Sequence, residues 1–324
     1  IVYTGNASTN AITGLGFKPD LVWIQNYSSQ NQTARMQDSS RGVTKSLEPA
    51  YTTNEATESG VTAFGTDGFT LGSQQGGYNS SGASYVAWCW RANGGTTASN
   101  SEGSGTSTVQ ANTAAGFSIV QFPNYSGDTT FGHGLTKTPN FIIAKLISGG
   151  SNWPTYHDAW SSGKACFLNK DDAEATSSHF AHSGTGNPVS ATTFGMGASF
   201  AGSGAGIAFV WHSVEGFSKF GSYVGNGATD GPFIHTGFRP KLIFVKLVAS
   251  AGNWWIQDVG RSTYNPLNKY IAWDSDGGEQ SGLDVDFLGN GFKVRSSSGD
   301  LNSNDAIIAY GAWGDVPFKY NNTF

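Results

Sequence analysis

The sequence predicts an all-β protein built as three tandem antiparallel β-sandwich repeats of jelly-roll type, and three observations carry that expectation. Only 13% of the 324 residues are charged, against about 25% in ordinary globular proteins. Gly (45 residues), with Ser, Thr and Asn, fills the gap, while Phe, Tyr and Trp reach 13%. Such an aromatic content excludes disorder and describes short strands joined by tight turns. Third, one pattern of strand and turn residues returns along the chain.

The repeat opens on a strand and a Gly-rich turn: Val2-Tyr3-Thr4-Gly5-Asn6, then Gln121 to Gly127, then Ser222-Tyr223-Val224-Gly225-Asn226. A proline-led apolar strand follows. It is Gly16-Phe17-Lys18-Pro19-Asp20-Leu21-Val22-Trp23-Ile24 in the first copy and Gly237-Phe238-Arg239-Pro240-Lys241-Leu242-Ile243-Phe244-Val245 in the third. The middle copy has the fainter Lys137-Thr138-Pro139-Asn140-Phe141-Ile142-Ile143-Ala144-Lys145. Proline suits the mouth of a strand, where its missing N–H costs no ladder bond.

A polar loop then leads to an acidic residue in a matching place, Asp38, Asp158 and Asp258, with Arg41 and Arg261 three residues on in copies one and three. The pattern reads as a part-buried Asp–Arg pair fixing a loop. Next comes a hairpin with Asp67-Gly68 or Asn290-Gly291 expected at the centre of a type I′ turn. The middle copy, Phe194-Gly195-Met196-Gly197-Ala198, is shortened. Each copy closes on an apolar strand: Tyr85 to Trp90, Ile207 to Trp211, and Ile307 to Trp313. Helical periodicity is almost absent; Lys170 to Ala175 and Asn54 to Glu58 have the composition of single helical turns.

These elements divide the chain into repeat one at 1–92, a Gly/Ser/Thr linker or arm at 93–116, repeat two at 117–214 and repeat three at 215–324. Repeats two and three abut, so that pair is expected to be rigid. The start reads directly as strand, with no basic or apolar leader, and a fragment or processed product of something longer is expected.

A net charge of −5 with scattered Lys and Arg argues against nucleic-acid binding. No apolar run approaches the roughly 18 residues of a membrane span. Neither a Gly-x-Ser-x-Gly elbow nor a phosphate-binding Gly-x-x-x-x-Gly-Lys loop occurs, so no enzyme is expected. Cys89 and Cys166 occupy unrelated places in the repeat and read as two buried thiols.

Several blocks together carry a family resemblance: Tyr3-Thr4-Gly5-Asn6, Gly14 to Ile24, Asn54-Glu55-Ala56-Thr57, Asp67-Gly68-Phe69-Thr70-Leu71-Gly72 and Tyr85 to Trp90. Thr106-Ser107-Thr108-Val109, Ala115 to Val120 and Gly132-His133-Gly134-Leu135 extend them into copy two. On these the chain resembles repeated modules in structural proteins of tailed bacteriophages, especially marine phages and cyanophages, of tail-fibre or uncharacterised virion type. The resemblance implies a virion surface protein such as a fibre or decoration, contacts with other virion proteins, and a homo-oligomer, with a trimer favoured and heterologous contacts around a ring. It brings no catalytic residue and no cofactor.

Three groups remain as candidate sites. Asp274, Asp276 and Glu279, with Asp284 and Asp286 behind them, alternate carboxylates with a glycine turn as a calcium loop does, against the plainer reading of a solvated turn. His179 and His182 have a metal-ligand spacing without an evident third ligand, against a polar loop. Trp153 and the Trp254-Trp255 pair occupy equivalent loops of copies two and three. Part of this set is expected in the core and part at a glycan or a neighbouring subunit. The alternative to a scaffold is therefore a carbohydrate-binding module for host surface glycans.

Overall fold

A computed structural model describes residues 1–180, 188–200 and 204–315. Within them the chain is almost wholly antiparallel strand in a sandwich-like arrangement. The helices among the described residues are one 3-10 turn, Ala198–Phe200, and one α-helical turn, Gly299–Asn302. Neither lies where single turns were expected: strands Ala56–Thr57 and Ala175–Thr176 occupy those segments instead. Both are edge strands added to a neighbouring hairpin, and the ladder outweighs local helical composition.

Three large sheets share one strand order. In the first lobe it runs Val2–Thr4, Ser84–Trp90, Leu21–Asn26, Arg35–Asp38, Lys45–Leu47, Ala56–Thr57. In the second it runs Phe117–Phe122, Gly206–Trp211, Phe141–Leu146, Pro154–His157, Lys164–Phe167, Ala175–Thr176. The third repeats it from Ser218–Val224 through Ile307–Trp313, Leu242–Leu247, Trp255–Asp258 and Leu267–Ala272 to Gln280–Leu288. A smaller layer covers one face of the first and second lobes. Asn10–Thr13, Gly68–Leu71 and Val61–Gly65 form it in the first and Thr129–Gly132 with Thr193–Met196 in the second; in the third Gly291–Val294 and Phe233–His235 continue the main sheet past Gln280–Leu288.

Residues 93–116, expected as a linker or an extended arm, contribute two strands to the second sheet. Ala98–Asn100 and Ser107–Asn112 extend it past Phe117–Phe122, and the buried Gln110 accepts hydrogen bonds from the Asn93 and Gly95 amides. The sequence hides this because the strands are polar: one face of the hairpin stays in water, so its residues carry no hydrophobic run.

The proline-led strands show why their sequences are apolar throughout. A strand points alternate side chains to opposite faces, and both faces here are covered. Leu21 and Trp23, Phe141 and Ile143, and Leu242 and Phe244 enter one central cluster shared by all three lobes. Val22 and Ile24, Ile142 and Ala144, and Ile243 and Val245 face the private core of their own lobe. The lobes are thus not beads on a string. At the centre Trp90, Trp211 and Trp313, which hold equivalent registers opposite Leu21, Phe141 and Leu242, lie 5.5–6.1 Å apart pairwise.

The hairpin turns differ in one detail from expectation. Gly65 pairs with Gly68 and Leu288 with Gly291, so the turn residues are Thr66-Asp67 and Gly289-Asn290, one place earlier than expected. Gly68 and Gly291 serve a close approach: a Cβ there would lie 1.9 Å from the Ile12 carbonyl oxygen and 2.1 Å from that of Ile234. Asp67 then accepts from the Gly14 and Gly16 amides and ties the turn to the next strand.

Candidate functional site

Each lobe meets the next along a seam built from the same three positions. The third inward-facing residue of the proline-led strand is Gln25, Lys145 or Lys246, all fully buried. Inside an apolar strand such a side chain must find partners in the neighbouring lobe. Lys145 Nζ donates to Thr52 O of the first lobe at 3.2 Å, and Lys246 Nζ to Asp171 O and Asp172 O of the second at 3.1 and 2.8 Å. Gln25 Nε2 donates to Ala272 O of the third at 3.0 Å. Burial pushes the Lys145 ammonium down to about 8 and lowers that of Lys246 as well.

A backbone bond repeats beside each of these: Glu55 N to Ile147 O, Glu174 N to Val248 O and Glu279 N to Tyr27 O. The same glutamates pair with Lys45, Lys164 and Lys269 at 3.2–3.4 Å. First to second, second to third and third to first, the contacts run head to tail and close a ring. The ring is made within one chain.

The predicted aromatic contacts are consumed in this architecture. Trp153 and Trp254 are fully buried in the central cluster, and each indole N–H crosses a seam, to Tyr51 O at 2.9 Å and to Phe167 O at 3.0 Å. Trp255 points the other way, into the core of the third lobe. None of the three offers a face to a sugar or another subunit. The first lobe has Ala34 at the corresponding place, and Trp273 of the third lobe fills that space, stacked on Trp23 at 4.2 Å.

The carboxylates expected at a calcium loop also separate. Asp274 accepts from Trp254 N and Asn253 Nδ2, Asp276 accepts from the Tyr51 hydroxyl, and Glu279 pairs with Arg261 and Lys269. Asp286 pairs with Arg295. Among the described residues no three such side chains come together as a metal would require. His179 bonds Ser177 and packs on Phe167, while His182 lies outside the described residues.

The Asp–Arg pairs are present and buried. Asp38 accepts from Ser40 N, Arg41 N and Arg41 Nε, and Asp258 accepts from Gly260 N, Arg261 N and Arg261 Nε. In the middle lobe, however, the register places His157, not Asp158, opposite Phe141 as Asp38 stands opposite Leu21. His157 Nδ1 accepts from Ala159 N, and Trp160 takes the arginine's place. Alignment on the acid alone missed this by one residue. Both cysteines are free, Cys166 buried and Cys89 half-buried, and burial pushes each thiol up to about 12, far from a reactive thiolate.

The second–third seam holds an open polar cleft of about 470 Å³. Asn169, Asp171 and Asp172 line it from the second lobe, and Asn253, Asp274 and Ser275 from the third. Burial lifts the Asp274 carboxyl to about 6. Sequence reading found only Asp274 of this set; the available signal was a lysine at the same place in two apolar strands, which marks the seam. No curated protein and no solved structure matches the chain. A model of a domain of unknown function, DUF7483, matches residues 1–317, and the chain belongs to that family.

Proposed function

We infer that the chain is a structural component of a bacteriophage particle surface, a tail fibre, decoration or similar protein, that supplies a stiff scaffold and subunit contacts and does no catalysis. The observation that carries this reading is the closed ring. Three seams with buried lysine, glutamine and tryptophan donors, over a shared aromatic cluster, spend the conspicuous polar and aromatic groups on rigidity. The phage-module resemblance of the repeat blocks points the same way. Because the seams are satisfied inside the chain, any homotrimer or contact with other virion proteins uses the outer surfaces of the lobes.

The test is the particle itself. Antibody against the chain should label purified virions of the phage that encodes it, and the chain should be present there in a fixed copy number. Recovery from infected-cell lysate but not from purified virions would overturn the reading.

A further inference from the structure

The three lobes finish one strand in different ways. Tyr3, Phe122 and Tyr223 stand at equivalent places, each against the start of the closing strand of its lobe, and the residues that follow are Thr4, Pro123 and Val224. In the first lobe the Asn10 side chain donates to Thr4 O at 3.1 Å. In the second, Pro123 has no N–H to offer, and Ser107–Asn112 pairs along the outer side of the strand that leads to it. In the third, Ser218–Val224 is the outermost strand of its sheet.

Neighbouring bonds fix which way each amide of that strand points. Ser218 N donates to Val214 O and Phe220 N to the Ser213 hydroxyl, both away from the sheet, while Gly225 N turns back to Ala306 O inside it. The register against Ile307–Trp313 is unbroken, so alternation turns the N–H and C=O of Ser222 and Val224 outward. Neither residue has a hydrogen-bond partner on that side among the described residues. Beside this open edge lie two exposed apolar side chains, Val224 at 56% and Ile307 at 46%, opposite each other and therefore on one face. Lys219, the one charged residue of the strand, does not guard the edge, because its Nζ is tied to His235 O.

We propose that this edge pairs with the same edge of a second copy of the chain, joining the two third-lobe sheets antiparallel about a two-fold axis. The groups left over are main-chain donors and acceptors at strand spacing, which another extended strand matches. The edge is its own complement. A two-fold axis through Tyr223 sets each Ser222 opposite the other copy's Val224, and both pairs exchange N–H···O bonds in each direction. No charge meets a like charge there, since Ser and Val are the residues that face each other. The exposed Val224 and Ile307 of both copies then share one face, and part of their apolar surface leaves water. Such a contact is isologous, unlike the three-fold association that the phage resemblance implies, and it does not depend on where the chain sits on a particle.

Sedimentation velocity of the intact chain over a rising concentration series, with amide hydrogen exchange read by NMR at both ends of the series, provides the test. Wild-type protein should pass from monomer to dimer, and the Ser222 and Val224 amides should become protected only in the dimer. The Gly221 and Tyr223 amides, which bond inside the sheet, should be protected throughout. Val224→Pro deletes an outward donor and installs the residue that the second lobe already carries at this place, so near-ultraviolet circular dichroism should be retained while dimerisation weakens about tenfold or more. Four results would each overturn the assignment: a wild type that stays monomeric at millimolar concentration, an oligomer other than a dimer, a dimer whose Ser222 and Val224 amides exchange as in the monomer, or undiminished dimerisation of Val224→Pro. The virion-labelling result is read separately and can stand or fall alone.

Discussion

Asp274 sits where the second lobe has Asn169: each accepts from a tryptophan amide, and each shares a hydrogen bond with an asparagine 21 or 17 residues earlier, Asn253 or Asn152. The acid carries a penalty that the amide does not. Its folded pKa, lifted to about 6 by burial, lies above the unfolded value of about 3.9, so the native state binds the proton more tightly than the unfolded chain. The stability this group contributes is complete below about pH 4 and is lost as pH rises through 6. Asp274→Asn should therefore stabilise the protein at pH 8 by up to about 3 kcal/mol and change little at pH 4. Urea unfolding at the two pH values checks it; an equal shift at both would rule out the titration as the cause.

At the scale of the element, the loop after the fourth strand is fixed from inside. Asp38 and Arg41 are both buried, and the carboxylate is satisfied by two amides and the guanidinium. Removing the cation leaves a buried charge without its partner, which costs about 3–5 kcal/mol. Arg41→Met should lower stability by that amount in denaturant titration, while Arg295→Met, at an exposed pair with Asp286 and Asp230, should hardly register. Comparable losses in the two variants would refute the distinction. The pair was legible from spacing because Asp and Arg three residues apart stand in two copies. The His157–Trp160 substitute was not, since nothing in a single strand says which of two neighbouring residues points inward. The hairpin strands at 98–112 escaped for a similar reason: a half-exposed edge carries no apolar signature.

Across the whole molecule the lobes depend on one another. The central cluster takes residues from all three, among them Trp23, Phe141 and Phe244, and a single lobe would leave that face in water. Residues 1–92 produced alone should lack fixed tertiary packing, with near-ultraviolet circular dichroism close to that of the unfolded chain. The intact chain should instead melt in one transition whose calorimetric and van't Hoff enthalpies agree. Separate transitions for the lobes, or a fragment with native-like tryptophan signals, would show that the shared core is not what couples them.

Composition and the recurring strand pattern were enough to determine an all-β sandwich and its strongest strands, because alternation, proline placement and aromatic content are local properties of the chain. Local pattern could not show that both faces of those strands are buried, that Lys145 and Lys246 reach into the preceding lobe, or that the loop tryptophans turn inward. Those outcomes depend on what lies across a seam, roughly 75 to 250 residues away along the chain. Only closure of the ring decides which polar side chains are spent on the framework and which stay on the surface.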